Sequence, residues 1–247
     1  MALINMAKIQ IINDGGYTLI NDSFLNMSMK LKGSLLMTSG DDYYYQDVTY
    51  TARSGSYQPI IAVRCTSHKA TVYRTIKNGN QYTFRILFGD NDSALFPSIA
   101  VGDYYVFDID ADDYLGTGHV ILRNQSGKIV FDSDLKYMRV LSIHSFPEFR
   151  LNNQPRTEIN NDPNKKLASV CLNYGYYYQY SSYYEDITNQ YEIDIFYMYD
   201  AIIFKSESFV NQAYTFSAYS YVQVSSGGAG SSISIPGTYM IIDVTNY

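Results

Sequence analysis

Hydrophobic and polar residues alternate along most of the chain, which is the pattern of half-buried β-strands. Ile9 and Ile11 alternate with Lys8 and Gln10, and the same period of two continues over residues 27–32. No stretch carries the hydrophobic period of an amphipathic helix over three turns. The pattern therefore predicts an all-β protein built from antiparallel strands.

The alternation contains an internal repeat, which defines the units of a fold. Residues 9–29 form a strand, a turn at residues 13–16, a returning strand and a third strand. Residues 120–140 follow the same order, and one alignment without a gap matches Asn13 with Asn124 and Gly16 with Gly127. Asn and Gly residues in both turns tolerate positive φ. We therefore expect one hairpin unit to occur twice.

Other segments have equally local signals. The clearest hairpin spans residues 71–88, with Asn78-Gly79 at its tip. Further strands are expected at residues 43–50, 58–65, 103–109, 191–205, 213–224 and 232–244.

The domain organisation predicted from these signals is one or two antiparallel β-sandwich-like modules. Residues 1–150 would form a module that contains both hairpin units. Residues 151–166, in a region with Pro147, Pro155 and Pro163, are expected to form a linker or a long surface loop. Residues 167–247 would form a Tyr-rich β module, with a flexible loop at residues 225–232.

Charge divides the chain at the same place. The 247 residues carry a net charge of −6, and 27 of them are Tyr while none is Trp. Residues 167–247 hold seven acidic residues and one basic residue, whereas the charges of residues 1–166 are balanced. This sign argues against nucleic acid as a partner. No signal peptide and no apolar run long enough to insert into a membrane is expected.

The Tyr-rich segment is the best candidate for a binding face. Tyr with Ser, Gly and Asn makes adaptable binding surfaces, and sugar rings stack on aromatic faces. The alternative is that these residues line a core and an oligomer interface, because consecutive Tyr residues point to both sides of a strand. The candidate ligand or interface residues are Tyr176, Tyr177, Tyr178, Tyr180, Tyr183 and Tyr184.

An acidic run at residues 108–116 begins like a calcium-binding loop. Asp113 then stands where the loop needs Gly, and His119 stands where it needs Glu. A solvated acidic turn is the expected structure, with a weak calcium site as the alternative. No metal and no cofactor is predicted.

Catalytic signatures are also weak. A triad that uses His68, His119 or His144 stays open on sequence alone, but no Gly-x-Ser-x-Gly motif occurs. Paired carboxylates for glycoside hydrolysis need a measured separation. Cys65 and Cys171 are expected to be reduced thiols, with a long-range disulfide as the alternative. The chain is therefore not expected to be an enzyme.

The repeated unit resembles one found in small tail proteins of tailed bacteriophages. The first copy carries the shared positions Ile9, Asn13, Gly16, Leu19, Asn21, Asp22, Phe24, Met27 and Met29. The second copy spans residues 120–140 with Asp132-Ser133, and the ending at residues 237–247 is similar to the last strand of such proteins. The resemblance covers about 50 of the 247 residues and brings no catalytic or ligand residues with it.

The resemblance implies a virion structural protein of the tail tip or tail fibre, made in the cytoplasm of the bacterial host. Its partners would be copies of itself and other tail proteins, and exposed strand edges favour a symmetric oligomer. One alternative is a module that binds a host-surface receptor or glycan. Less favoured alternatives are a polysaccharide depolymerase and a self-assembling matrix or crystal-forming viral protein.

Overall fold

The structure is a computed structural model. It describes the backbone of residues 10–12, 18–21, 25–39, 44–53, 57–89, 99–110, 114–145, 158–160, 164–185, 190–206, 209–214, 218–224 and 231–247. Side chains are described at residues 25–38, 44–53, 57–89, 99–110, 114–145, 164–176, 199–204 and 233–247. These residues form β-strands and turns without a helix, which confirms the predicted all-β fold.

The described strands contain between 2 and 10 residues, except for one strand of 17 residues, Gln190–Ser206. Those of the first half are β1 (Gln10–Ile12), β2 (Thr18–Asn21), β3 (Ser28–Ser34), β4 (Thr38–Ser39), β5 (Tyr44–Thr51), β6 (Ile60–Cys65), β7 (Lys69–Asn78), β8 (Gln81–Gly89), β9 (Gly102–Asp108) and β10 (Ile121–Arg123). Those of the second half are β11 (Ile129–Asp132), β12 (Arg139–Ser145), β13 (Glu158–Asn160), β14 (Leu167–Asn173), β15 (Tyr176–Glu185), β16 (Gln190–Ser206), β17 (Phe209–Tyr214), β18 (Ala218–Val224), β19 (Ser231–Ile235) and β20 (Thr238–Asp243).

Two antiparallel sheets pack face to face. A six-stranded sheet has the order β12-β20-β14-β6-β9-β3. A ten-stranded sheet contains the path β13-β17-β16-β7-β8-β5-β4, to which β15, β18 and β19 are added beside β16. Alternate residues of β8, from Tyr82 to Phe88, are almost fully buried against Ile61, Val63 and Val106 of the six-stranded sheet. The strand period of two thus becomes the core of a sandwich.

The hairpin of β7 and β8 confirms the clearest local prediction. Asn78 pairs with Gln81, so the turn consists of Gly79 and Asn80. Gly79 has φ of 59°, a conformation that a residue without Cβ adopts at little cost. The hairpin is thus confirmed with its turn one residue later than the predicted tip Asn78-Gly79, and its register shifts between Val72 and Arg74.

The two predicted hairpin units have matching strands. The alignment that matches Asn13 with Asn124 also superimposes the bounds of β1, β2 and β3 on those of β10, β11 and β12. The pairing of β1 with β2 and of β10 with β11 follows the same register and shifts at the same position. Their third segments also meet, because Ser28 forms an antiparallel bridge with Tyr137 and Met138 N donates to Met27 O at 3.0 Å. The equivalent residues Met27 and Met138 therefore lie opposite each other.

The turn of the second unit explains its Asn and Gly. Asn124 Oδ1 accepts hydrogen bonds from the backbone N–H groups of Ser126 and Lys128, both at 3.0 Å. Gly127 has φ of 80° and donates its N–H to Asn124 O at 2.9 Å. The Asn side chain thus replaces backbone partners inside the turn. The corresponding turn at residues 13–16 lies outside the described residues.

The modular organisation needs a correction. Strands β14 and β20, from the predicted second module, lie between β12 and β6 of the predicted first module. Ala168, Val170 and Ile242 also share a buried cluster with Tyr105 and Phe107. Residues 1–150 and 167–247 therefore share sheets and cores, because antiparallel pairing joined strands distant in sequence.

The predicted linker is also partly ordered into the fold. Residues 158–160 form β13, which pairs antiparallel with β17 at the edge of the ten-stranded sheet. Three residues show too little alternation for a strand to be predicted from the sequence. They form a strand because they pair with the edge of β17.

One part of the ten-stranded sheet lies beside the sandwich rather than within it. The last part of β16, from Asp200, pairs with β17 and β7, whereas its first part, up to Tyr199, pairs with β15 and β18. Strand β19 then pairs with β15. We call this four-stranded sheet, with the order β19-β15-β16-β18, the Tyr-rich extension.

Candidate functional site

The predicted Tyr-rich segment forms the second strand of the Tyr-rich extension. Strand β15 pairs with β16 along its whole length, in a register that places Tyr176 opposite Tyr199. On its other side Tyr176 lies opposite Ile235 of β19. The candidate segment is therefore an inner strand, and its residues alternate between the two faces of one sheet.

Four tyrosine rings meet where the Tyr-rich extension joins the sandwich. The ring centroid of Tyr73 lies 5.0 Å from that of Tyr199 and 5.5 Å from that of Tyr174. Tyr199 also lies 6.1 Å from Tyr174 and 6.5 Å from Tyr176. We call Tyr73, Tyr174, Tyr176 and Tyr199 the tyrosine cluster. Tilted and edge-on contacts at these distances are favourable for aromatic pairs.

The tyrosine cluster is accessible from one side. Tyr174 is 37% exposed, and Tyr73, Tyr176 and Tyr199 are half-buried. Packed rings that lose little conformational freedom on contact make good binding anchors. The cluster can stack on a sugar ring or pack against another protein, and both are non-covalent roles.

A buried corner supports the tyrosine cluster from below. Two chain segments cross from the six-stranded sheet to the Tyr-rich extension here, at Gly175 and Gly237. A Cβ on Gly175 would lie 2.1 Å from Asp200 Oδ2 and 2.5 Å from Gly237 N. Asp200 N donates to Gly175 O at 2.8 Å, and Gly237 N donates to Asp200 Oδ2 at 3.3 Å. Glycine is needed because the two backbones approach so closely.

Tyr239 completes this corner. Its hydroxyl donates to Asp200 O at 2.6 Å and lies 3.0 Å from Thr71 Oγ1. Burial raises the pKa of Tyr239 well above its ordinary value and raises the pKa of the nearby Cys171 thiol to about 12. Both groups are therefore neutral at physiological pH, so they act as structural contacts rather than as nucleophiles.

The structure brings together only part of the predicted site. Tyr176 belongs to the tyrosine cluster. The side chains of the remaining candidates lie outside the described residues, although their backbone lies in β15: Tyr177, Tyr178, Tyr180, Tyr183 and Tyr184. Sequence reasoning missed Tyr73, Tyr174 and Tyr199, because strands far apart in the chain bring these rings together.

The prediction of a solvated turn for the acidic run at residues 108–116 is wrong for its first two acidic residues, which are tied into the fold. Asp108 is fully buried and accepts hydrogen bonds from Tyr50 Oη at 3.0 Å and Arg53 N at 2.9 Å. Asp110 pairs with Lys30. Protein donors thus occupy these two carboxylates, and residues 111–113 lie outside the described part. No group of three His, Cys, Asp or Glu residues suited to a metal ion occurs among the described residues.

The predicted candidates for a triad have local roles. His68 is buried, with Nδ1 2.7 Å from Ser67 Oγ, and that hydroxyl also accepts the Val101 N–H at 2.8 Å. His144 Nε2 lies 2.8 Å from Ser142 Oγ on the edge strand β12. His119 is exposed. Both Ser–His pairs join near neighbours in sequence, and the first ties two loops together.

The cysteines do not form the alternative disulfide. Cys65 and Cys171 are both free, and Cys65 is buried. Burial raises the pKa of the Cys65 thiol as well. This chemistry agrees with the predicted reduced thiols.

A surface groove of about 370 Å³ lies next to the last described residues. Its cations hold that segment in place: Arg139 Nη2 donates to Thr245 O at 2.7 Å, and Lys136 Nζ donates to Asn246 O. The Tyr247 ring lies 5.2 Å from the Arg139 guanidinium and packs edge-on against Phe107. Residues 245–247 therefore cover part of the core of the six-stranded sheet, and the cations of the groove, Arg139 and Lys136, hold them there.

The described residues contain no helix with the length and apolar character that crossing a membrane requires. Comparison of the chain with protein-family models, curated proteins and solved structures found no match.

Proposed function

We propose that this chain is a non-enzymatic structural protein of the distal tail of a bacteriophage, in the tail tip or tail fibre, where it assembles with copies of itself and with other tail proteins. The hairpin unit that resembles those of phage tail proteins supports this proposal. Its strands recur with the same lengths and register in the two halves of residues 1–150. Duplicated hairpins provide a rigid scaffold on which contact surfaces can vary.

The observation that carries the proposal is the Tyr-rich extension. Strand β16 belongs both to the sandwich and to the Tyr-rich extension. Among the described residues, the other strands of the extension, β15, β18 and β19, pair only with β16 or with one another. Two large apolar residues with described side chains on its outer strand β19 are exposed, Ile233 at 51% and Ile235 at 39%. Neighbouring exposed apolar residues on one face of a sheet are typical of a contact surface, because water disfavours them. An assembling structural protein needs such a surface.

Mass spectrometry of purified virions tests the assignment. We expect peptides of this chain in gradient-purified particles of the phage that encodes it, and we expect specific antibodies to label the tail end distal to the head. Absence of the chain from particles that contain the other tail proteins would contradict the assignment.

The tyrosine cluster favours a second candidate function, binding of a host-surface receptor or glycan. Exposed Tyr174 and half-buried Tyr176, which both contact the Tyr199 ring, offer stacking surfaces and hydroxyl groups to a sugar. Tyr174→Ala and Tyr176→Ala should then reduce binding of the purified protein to intact host cells. Tyr57→Ala is the matched control, since Tyr57 is 45% exposed and is not one of the four clustered rings. Equal binding by all four proteins, wild type included, would reject this function.

A further inference from the structure

One face of the Tyr-rich extension carries no charged residue. Register pairs place the even positions of β15, from Tyr176 to Tyr184, on the same face as the odd positions of β16, from Tyr191 to Tyr199. The even positions of β18 and the odd positions of β19 belong to this face too. The residues at these positions are only Tyr, Ile, Val, Ala and Ser. We call this surface the charge-free face.

The acidic residues of the extension occupy the other face. Glu185, Glu192 and Asp194 fall at the alternate positions of β15 and β16. These three are the charged residues in the paired segments of the extension, and the register places all of them on one face. The distribution gives the extension a wet face and a face suited to burial.

The charge-free face is half-buried at Tyr176 and Tyr199, where the tyrosine cluster packs, and is exposed on the outer strand β19. Ile233 and Ile235 on the outer strand β19 are 51% and 39% exposed. Tyr174, whose ring lies 6.1 Å from that of Tyr199, is 37% exposed. Within the described residues, β15, β18 and β19 pair only with one another and with β16, so no second sheet is built from them. A single sheet layer with an apolar face requires another layer for stability.

The size of the face matches a protein–protein contact. Four strands spaced by about 4.8 Å and about eight residues long at 3.3 Å per residue cover roughly 19 by 26 Å. A contact between two such faces removes about 1,000 Å² of surface from water, before the relief of the side chains is added. Specific interfaces begin at about this area, and large Tyr and Ile residues are effective anchors within them.

We propose that the charge-free face binds the charge-free face of a second copy of this chain, about a two-fold axis. An isologous contact places each surface against itself, so any net charge on it would repel its own copy. A face of Tyr, Ile and Val without charges avoids that cost, and it completes the missing layer of the sheet. This inference rests on the proposed self-assembly and adds the surface and the symmetry of its contact.

Sedimentation and light scattering of the full chain test the contact. We expect wild-type protein to associate, with an affinity that changes little between about 0.05 and 0.5 M salt, because no charges meet. Ile233→Glu places two buried charges in each dimer and should weaken association about 100-fold or more. Ile233→Ser is the milder second variant. Ser234→Glu is the matched control, since it adds the same charge to the next residue of β19, on the opposite face.

Circular dichroism checks that each variant keeps its sheet structure. Loss of association in both Ile233 variants, with wild-type behaviour of Ser234→Glu, supports the proposal. Association that is unchanged in Ile233→Glu overturns this contact and leaves self-assembly through another surface. A wild-type chain that stays monomeric at about 100 μM overturns both this contact and the proposed assembly. A monomer whose host-cell binding is lost in Ile233→Glu overturns the contact in favour of a receptor on the same face.

Discussion

Replacing Asp132 by alanine should lower the free energy of unfolding by about 3 kcal/mol. Asp132 is fully buried at the end of β11, in the second hairpin unit. Its carboxylate accepts hydrogen bonds from Thr117 N at 2.8 Å, Tyr114 Oη at 2.9 Å and Asp134 N at 2.9 Å. This one side chain therefore holds the incoming loop, the turn and a neighbouring ring together.

The magnitude follows from the fate of the three donors. A hydrogen bond to a charged acceptor contributes roughly 1.5–3 kcal/mol when its donor would otherwise stay buried and unpaired. Thr117 and Asp134 are exposed residues, so water can replace the carboxylate at their N–H groups. We therefore count about 1 kcal/mol for each of the three donors. In a chain of this length the loss corresponds to a fall in Tm of about 6–12 °C.

Urea unfolding followed by circular dichroism measures the effect. Asp134→Ala is the matched control, because it removes the adjacent exposed carboxylate and keeps the N–H that Asp132 uses; its effect should stay within about 0.5 kcal/mol. A free energy of unfolding for Asp132→Ala that equals that of the control would refute the reasoning.

Acid should remove the same stabilisation from the wild type. Burial alone would raise the pKa of Asp132, but the hydrogen bonds from Asp134 N, Thr117 N and the Tyr114 hydroxyl lower it below the ordinary value of 3.8. The unfolded chain therefore binds the proton more readily than the folded chain. The contribution of the Asp132 carboxylate to the free energy of unfolding is then complete above about pH 5 and declines as pH falls below 4. The difference in the free energy of unfolding between wild type and Asp132→Ala should therefore become smaller as pH falls below 4. A difference that stays constant down to pH 2.5 would show that the charge of the carboxylate is unimportant.

Three further results are expected. Gly175→Ala should destabilise the fold by about 1–3 kcal/mol in thermal unfolding, because its Cβ would lie 2.1 Å from Asp200 Oδ2; a wild-type Tm would show that the corner can yield. Buried Cys65 and half-buried Cys171, whose thiol has a pKa of about 12, should resist a thiol reagent at pH 8 until urea is added, and rapid labelling of both in native protein would contradict this protection. Burial raises the pKa of Tyr137 to about 12, so the stability that its neutral hydroxyl contributes to the fold is complete below pH 10 and should be lost as pH rises towards 12. The Tyr137→Phe variant should therefore lose less stability than wild type over that range.

Local chemistry made part of this fold predictable. Asn78-Gly79 predicts a turn between two flanking strands from local chemistry alone, and Asn124 with Gly127 predicts another. The gapless alignment of the two copies also relates β10–β12 to β1–β3, since the same offset matches the bounds of all three strands.

Long-range pairing was not predictable in the same way. The register that brings Tyr73 of β7 beside Tyr199 of β16 depends on strands from opposite halves of the chain, and many registers satisfy the same alternation. Strand β16 shows the limit most clearly, because its pattern predicts a strand but not that one half lies in the sandwich and the other half in the Tyr-rich extension. The Tyr-rich composition of its segment predicted Tyr176 as a site residue. Its partners Tyr73, Tyr174 and Tyr199 could not be predicted, because they depend on which strands pair in the sheet.

The native mass of the wild-type chain tests the central claim most directly. Sedimentation equilibrium from about 1 to 100 μM should give masses that rise to a fixed multiple of the 28.2 kDa chain, with at least two copies at the highest concentration. A mass of 28.2 kDa at every concentration would contradict a structural protein that assembles with itself.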